Sequence, residues 1–313
     1  MKSADTRPIL LVALGGNALI RRGETGTVEE QRANLRVPIR QIARLSRDYR
    51  ILITHGNGPQ VGNLLLQQEA CTAVPKLPLE VLVAATQGEL GYMIGSSLDG
   101  ELAALGVHPV PMVVSLVTTV VVDGEDPAFA APEKPVGPLY SAEEAASLPY
   151  PLAEVPGGRR RVVASPRPLT IVEKRQIRTL IDLGFIVICC GGGGIPVIRN
   201  GRGTRGVEAV IDKDLASACL AEEVGADILL IATDVPGAAL DYGTEQELFL
   251  GTVTVKEARD ALAQGHFPPG SMGPKVEAAL LFLASGGKRA LITAVDEIEM
   301  GLAGTAGTEI SGG

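Results

Sequence analysis

Short runs of uninterrupted apolar residues alternate along this chain with longer segments in which apolar positions recur every three or four residues. The runs are Ile9–Leu14, Ile51–Thr54, Val110–Val122, Phe185–Cys190, Asp227–Ala232 and Ala290–Thr293. They are apolar throughout, as expected of strands buried on both faces of a parallel sheet. Between them, Glu29–Tyr49 places Leu35, Ile39, Ile42 and Leu45 on one helical face. Pro38 inside that segment predicts a kink or a restart. Leu79–Leu105 reads as a helix interrupted by Gly88, Gly91, Gly95 and Gly100. Further helices are expected over Glu173–Leu183, Leu215–Val224 and Pro274–Ala284, and Thr254 with Glu257 forms a capping box ahead of Ala258–Ala263. Strand–helix alternation of this kind predicts an α/β sandwich with a mainly parallel sheet.

Asp123–Arg161 breaks the rhythm. It is rich in proline, glycine, alanine and charge, with Ser141 and Glu144 suggesting one short capped helix. It reads as an excursion from the main sheet, either a small lid or an irregular loop. The tail Gly301–Gly313 is rich in glycine and carries no clear pattern.

Composition narrows the function. The net charge of -8 argues against nucleic acid as the main partner, while leaving room for a small anion held by a few lysines. The longest apolar stretch, Pro109–Val122, is too short to span a membrane. Ile9–Leu14 imitates a signal-peptide core but runs into Gly15-Gly16-Asn17 without a small-residue cleavage pattern, so it reads as a first core strand. The cysteines Cys71, Cys189, Cys190 and Cys219 form no C-x-x-C pair, and buried thiols in a reducing cytoplasm are expected. His55, His108 and His266 are too scattered to suggest a zinc site.

Three strands end in glycine-rich turns: Gly15-Gly16-Asn17, Gly56-Asn57-Gly58 and Gly191–Gly194. In a parallel sheet these turns share the carboxyl edge, where exposed backbone N–H groups make anion sites. Each alone reads equally well as a tight turn; three together are harder to dismiss. None is followed by G-K-[ST], and none completes G-x-G-x-x-G, which disfavours a Rossmann dehydrogenase. Lys213 and Lys275 each sit at the start of a helix, a position slightly unfavourable for a cation unless an anion binds there. Asp214, beside Lys213, is suited to hold two ammonium groups charged. The alternative is that both are ordinary surface lysines. Thr233 and Asp234 follow a strand and could face a nucleotide or form a capped turn. Tyr242 could stack on an adenine or simply pack against its neighbours.

At these positions the sequence resembles the carbamate kinases of the amino-acid-kinase superfamily. The matching segments are Ala13–Ala18, Thr54–Asn63, Thr86–Gly88 with Gly91-Tyr92, Lys134–Pro138, Ser165–Pro168, Cys190–Val197, Gly206–Asp214 and Gly265–Lys275, in family order along nearly the whole chain. The resemblance implies an open three-layer αβα sandwich of amino-acid-kinase fold, with Asp123–Arg161 as a small protruding subdomain. It implies an N-terminal lobe, residues 1–210, with the acceptor site and dimer contacts, and a nucleotide-binding lobe over 211–313. By motif, Lys134, Lys213, Asp214 and Lys275 would be catalytic, with Asp214 organising the lysines. Gly15, Gly16, Asn17, Gly56, Asn57 and Gly58 would line the acceptor site. Thr233, Asp234, Tyr242, Ser271, Met272 and Lys275 would meet the nucleotide. The implied partners are ATP or ADP with Mg²⁺, carbamate or carbamoyl phosphate, and a second copy of the chain. No protein ligand to metal is expected, magnesium being carried by the phosphates and water. Many related kinases have a lysine before the first glycine pair; Ala13 stands there in this chain, as in carbamate kinases, and Lys134 would supply the missing charge. The run Arg159-Arg160-Arg161 lacks an aromatic residue found nearby in some relatives, which leaves the peripheral contacts open.

Carbamate is already a nucleophilic anion, so its attack on a γ-phosphorus needs alignment and charge neutralisation rather than a general base. No Ser-His-Asp or Cys-His set accompanies the motifs, in keeping with direct transfer. His55 is expected to be structural or substrate-orienting. The rival readings are a kinase for another carboxylate or phosphate, such as acetylglutamate or UMP, and a catalytically silent nucleotide-sensing module.

Overall fold

A computed structural model describes residues 5–21, 23–106, 110–201 and 203–312 of the chain. His108 and the side chain of Asn17 lie outside the described residues. The strands in chain order are β1 Ile9–Leu14, β2 Arg50–His55, β3 Val113–Ser115, β4 Thr119–Val122, β5 Lys134–Tyr140, β6 Leu152–Val155, β7 Gly158–Val163, β8 Pro168–Ile171 and β9 Ile186–Ile188. They continue with β10 Ile195–Arg199, β11 Thr204–Gly206, β12 Ile228–Thr233, β13 Ala239–Leu240, β14 Leu248–Phe249, β15 Thr252–Thr254, β16 Arg289–Ala294 and β17 Thr308–Ser311. The helices are α1 Val28–Leu45, α2 Gly58–Ala70, α3 Leu79–Ala104, α4 Ala142–Ala145, α5 Lys174–Asp182, α6 Lys213–Val224, α7 Val255–Ala263, α8 Met272–Ala284 and α9 Ile298–Leu302.

Eight strands form the main sheet in the order β15-β17-β16-β12-β1-β2-β9-β3. Pairing is parallel except between β16 and β17. Alternate residues of β1 feed two separate cores, which makes the architecture three-layered. Ile9, Leu11 and Ala13 pack with Ile177 of α5, Leu220 of α6 and Phe282 of α8. Leu10, Val12 and Leu14 pack with Leu35 and Ile39 of α1 and with Leu90 and Ile94 of α3. Every residue of β1 is fully buried, which is why its sequence is apolar without alternation.

Four expectations change. Val110–Val122 is not one strand: β3 lies at the edge of the main sheet, and the chain then crosses at Leu116–Thr118 into β4 of a second sheet, ordered β11-β10-β4-β8. Pro38 does not divide α1, which runs through it with Leu35, Ile39 and Ile42 fully buried. Burying three such side chains contributes about 1.5–3 kcal/mol each, enough to offset the roughly 3 kcal/mol that an interior proline costs. The glycines of α3 do not interrupt it either; a Cβ on Gly91 would lie 1.9 Å from Ser115 Oγ, so glycine there admits β3 against the helix. The tail completes α9 and supplies β17, the latter paired with both β15 and β16.

The excursion Asp123–Arg161 is ordered. With the two residues that follow, it forms an antiparallel sheet of order β5-β7-β6, and Ser141 with Glu144 makes the capping box that opens α4. Its anchor to the body is both apolar and polar: Val136 of β5 and Val163 of β7 pack with Val61 and Leu65 of α2 and Leu82 of α3. Tyr140 and Tyr150 both donate to Glu69 Oε1 at the end of α2, at 2.7 and 2.8 Å.

Candidate active site

The three glycine turns follow β1, β2 and β9, which are neighbours in the sheet, so they meet at one carboxyl edge. Their approach is too close for side chains. A Cβ on Gly56 would lie 2.9 Å from the Gly16 nitrogen, and one on Gly191 would lie 2.5 Å from His55 Nε2. Gly192 and Gly193 also hold φ of +65° and +87°, where a Cβ would strike Asn57 Nδ2 at 2.1 Å and the Ile211 carbonyl at 2.3 Å. Asn57 Nδ2 itself donates to Thr86 Oγ1 at 2.8 Å, fixing its amide beneath the turn.

His55 is buried at this junction, and its Nδ1 lies 3.0 Å from the Gly56 carbonyl. Because a carbonyl only accepts, Nδ1 carries the proton. Burial pulls the imidazole down to about 4, the Gly56 contact opposes this and the charge on Lys213 adds to it. A neutral ring with one nitrogen committed to the backbone fits a positioning part.

The lysines converge. Lys213 opens α6, Lys275 lies in the first turn of α8, and both ammonium groups pair with the carboxylate of Asp214, Lys275 at 3.0 Å. Side-chain exposure is 12% for Lys213, 14% for Lys275 and 3% for Asp214, so neither is a surface lysine. Burial alone would raise the Asp214 carboxyl, but the two ammonium groups outweigh it and hold it below its ordinary value. For Lys213 burial is the largest influence and lowers it, with Asp214 pulling the other way. Asp212 caps α6 by accepting from the Asp214 nitrogen at 2.9 Å, and its other oxygen takes Lys134 of β5 at 2.9 Å. The protruding sheet thus delivers a third ammonium beside the first two.

Two clefts open onto this cluster. One, of about 380 Å³, is lined by Gly15, Gly16, Thr233, Asp234, Tyr242, Ser271, Met272 and both buried lysines. The other, of about 430 Å³, is lined by Gly16, Gly56, Asn57, Gly58, Lys134, Asp214 and the same two lysines. They share Gly16, Lys213, Gly270 and Lys275. The candidates for the nucleotide fall together in the first cleft and the glycines of the acceptor set in the second, with one change. Gly15 lines the first cleft and not the second, because its nitrogen donates to Ala232 of β12 at 2.9 Å and so turns toward that strand's end.

Sequence reasoning gave no site role to Asp212 or Arg160 and named Gly192 only within the third glycine turn; all three line the second cleft. Asp212 was legible as a helix cap. Arg160 stood inside a basic run noted only for lacking a nearby aromatic residue. Among the described residues, no group of three or more His, Cys, Asp or Glu side chains is placed to hold a metal ion, and no helix is long and apolar enough to cross a membrane. Cys189 and Cys190 are buried as expected, whereas Cys71 is exposed at the end of α2.

The sequence profile of the amino acid kinase family matches residues 8–294. The chain belongs to that family. Within it, the chain is 50% identical to a carbamate kinase of Thermococcus kodakarensis over 96% of this chain and 98% of that one. It is 46% identical to a carbamate kinase of Escherichia coli K12 over 96% and 99%. A solved carbamate kinase from Giardia lamblia bound to AMP-PNP superimposes with a TM-score of 0.92 at 40% identity, covering 98% of this chain and 99% of that chain. The amino-acid-kinase architecture expected from sequence is therefore the one adopted.

Proposed function

We propose that this amino acid kinase is a carbamate kinase, a phosphotransferase that exchanges a phosphoryl group between ATP and carbamate, giving ADP and carbamoyl phosphate. The observation that carries the reading is the meeting of the two clefts at Gly16, Lys213, Gly270 and Lys275. The 380 Å³ cleft takes the nucleotide, in line with the AMP-PNP bound by the Giardia relative. The 430 Å³ cleft takes the acceptor.

In the forward direction a carbamate oxygen forms a bond to the γ-phosphorus while the bond to the β,γ-bridging oxygen breaks and ADP leaves with that electron pair. Lys213 and Lys275 stand where the transferring group passes and offset its charge. Asp214 keeps both ammonium groups aimed and charged. Lys134 covers the acceptor side. The N–H groups of the glycine turns receive anionic oxygens without an intervening side chain. No group with a proton-accepting role is needed, which suits a histidine held neutral away from the reacting atoms.

Magnesium is expected to arrive with the nucleotide, held by its phosphates and water, and supplies further charge neutralisation there. Asp214, the buried carboxylate of the site, has both oxygens committed to lysines and is not a candidate ligand.

The proposed division is an acceptor lobe over 1–210, including the protruding sheet, and a nucleotide lobe over 211–313. The main sheet runs through both, with β12 paired to β1. The proposed assembly is a homodimer, placed in the cytoplasm. Met112, just before the open edge strand β3, and Val81 and Tyr92 of α3 are exposed at 57%, 40% and 66%. An apolar surface beside an unpaired sheet edge fits a second copy related by a twofold axis.

Incubation with Mg²⁺, ADP and carbamoyl phosphate should generate ATP, read by luminescence. No ATP, alongside turnover of a different acceptor, would overturn the assignment in favour of another kinase of the family.

A further inference from the structure

Arg159, Arg160 and Arg161 follow one another on β7. Successive strand residues point to opposite faces, and the three are sorted accordingly. Arg159 pairs with Glu154 of β6 at 3.1 Å. Arg161 pairs with Glu208 and lies over the ring of Tyr150, 4.8 Å from its centroid. Arg160 faces the other way, and among the described residues it has no carboxylate partner. Its Nε and Nη2 donate to the Gly137 carbonyl at 2.9 and 2.6 Å. That leaves Nη1 and one hydrogen of Nη2 uncommitted.

The uncommitted side has a place to act. Arg160 lines the acceptor cleft and also a neighbouring recess of about 510 Å³ between β5, α2 and the turn at Glu24-Thr25. Pro59, Pro135 and Arg160 are common to both spaces, so the guanidinium stands at the threshold between them. The acid on that recess is held by other donors, Glu24 Oε2 accepting from the Arg21 nitrogen at 2.7 Å and from Asn34 Nδ2 at 2.6 Å, and among the described residues it makes no ion pair with Arg160. A cation without a counter-ion, presenting a planar fork beside a cleft for a small carboxylate, has the donor geometry for that anion.

We infer that Arg160 is an acceptor-binding residue whose guanidinium takes the carboxylate end of carbamate, or the carbamoyl oxygen of carbamoyl phosphate, as the substrate passes from the outer recess into the inner cleft. The inference rests on the acceptor reading given above. The competing role is a brace, in which the bond to Gly137 only holds β5 against β7 and so positions Lys134.

Steady-state ATP formation separates the two, measured for the wild type, Arg160→Gln, Arg160→Lys and, as a control on the opposite face, Arg159→Gln. Acceptor binding raises the KM for carbamoyl phosphate at least tenfold in Arg160→Gln and less in Arg160→Lys. The KM for ADP stays within twofold and kcat within threefold, and Arg159→Gln behaves as wild type. A KM for carbamoyl phosphate that does not move, or a loss confined to kcat as a brace would give, overturns the inference. Should Arg160→Gln fail to fold, Arg160→Lys carries the same comparison. A wild type that forms no ATP overturns the acceptor reading and this inference with it; an active wild type with an unmoved Arg160→Gln overturns this inference alone.

Discussion

Replacing Asp214 with asparagine removes one charge and leaves two ammonium groups facing each other in a nearly dry pocket. At an effective dielectric of 20, opposite unit charges about 3 Å apart attract by roughly 5 kcal/mol, and Lys275 lies at 3.0 Å from this carboxylate. The asparagine carbonyl still accepts a hydrogen bond and the carboxylate's own desolvation cost disappears, so the net loss is smaller. Breaking a buried pair by removing one partner typically costs about 3–5 kcal/mol. We therefore expect Asp214→Asn to lose about 4 kcal/mol and, in a chain of 313 residues, to melt roughly 6 °C lower at pH 7. The second consequence is specific to a phosphate site. A bound polyanion then replaces the counter-charge that Lys213 and Lys275 lost, so pyrophosphate should raise the melting temperature of the variant more than that of the wild type. Differential scanning fluorimetry with and without pyrophosphate reads both effects. A variant melting within a degree of wild type, or gaining no more from pyrophosphate, would refute the shared-carboxylate account.

Two further outcomes are expected. Lys134→Ala should lower kcat for ATP formation about a hundredfold, on the scale of a lost transition-state donor, while the KM for ADP stays within twofold; equal losses in both would mean Lys134 is not confined to the acceptor side. His55 titrates near 6.5 when unfolded but is held down to about 4 in the fold. Its contribution to stability is full above about pH 6.5 and drains away as pH falls toward 4, because the unfolded chain takes up the proton first. Between pH 7 and pH 5 this amounts to about 2 kcal/mol, so His55→Gln should show a correspondingly shallower acid loss in urea unfolding, and an identical slope would count against it.

Much of the frame was visible in the chain itself. β1, β12 and β16 are covered on both faces, so their residues had to be apolar without alternation, and the glycines that follow β1, β2 and β9 marked the ligand edge. The split of Val110–Val122 between two sheets was not visible, because β3 and β4 present the same β-branched residues to different neighbours and no breaker stands at Leu116–Thr118. The protruding sheet was hidden for another reason. Its strands are short and partly proline-bearing, and they are held by the Tyr140, Tyr150 and Glu69 contacts and by a small apolar patch, Val136 and Val163, too sparse to give a strand pattern. The lysine cluster was largely legible: helix starts suggested anions and Asp214 was suited to hold two ammonium groups, as both lysines do, whereas the Asp212 contact to Lys134 was not visible. Asp212 and Arg160 escaped because each makes its telling contact with a residue far along the chain or across a strand pair.

The turn at Gly191–Gly194 has a consequence for how acceptor preference can change. Each added methyl there would collide with a fixed neighbour, Asn57 and Ile211 among them, so that wall of the cleft is closed to mutational exploration. The opposite wall, carried by β5 and β7, is fastened through side chains and belongs to an appended sheet. Drift and deliberate redesign alike are channelled into that appended sheet, while the glycine wall admits no added side chain.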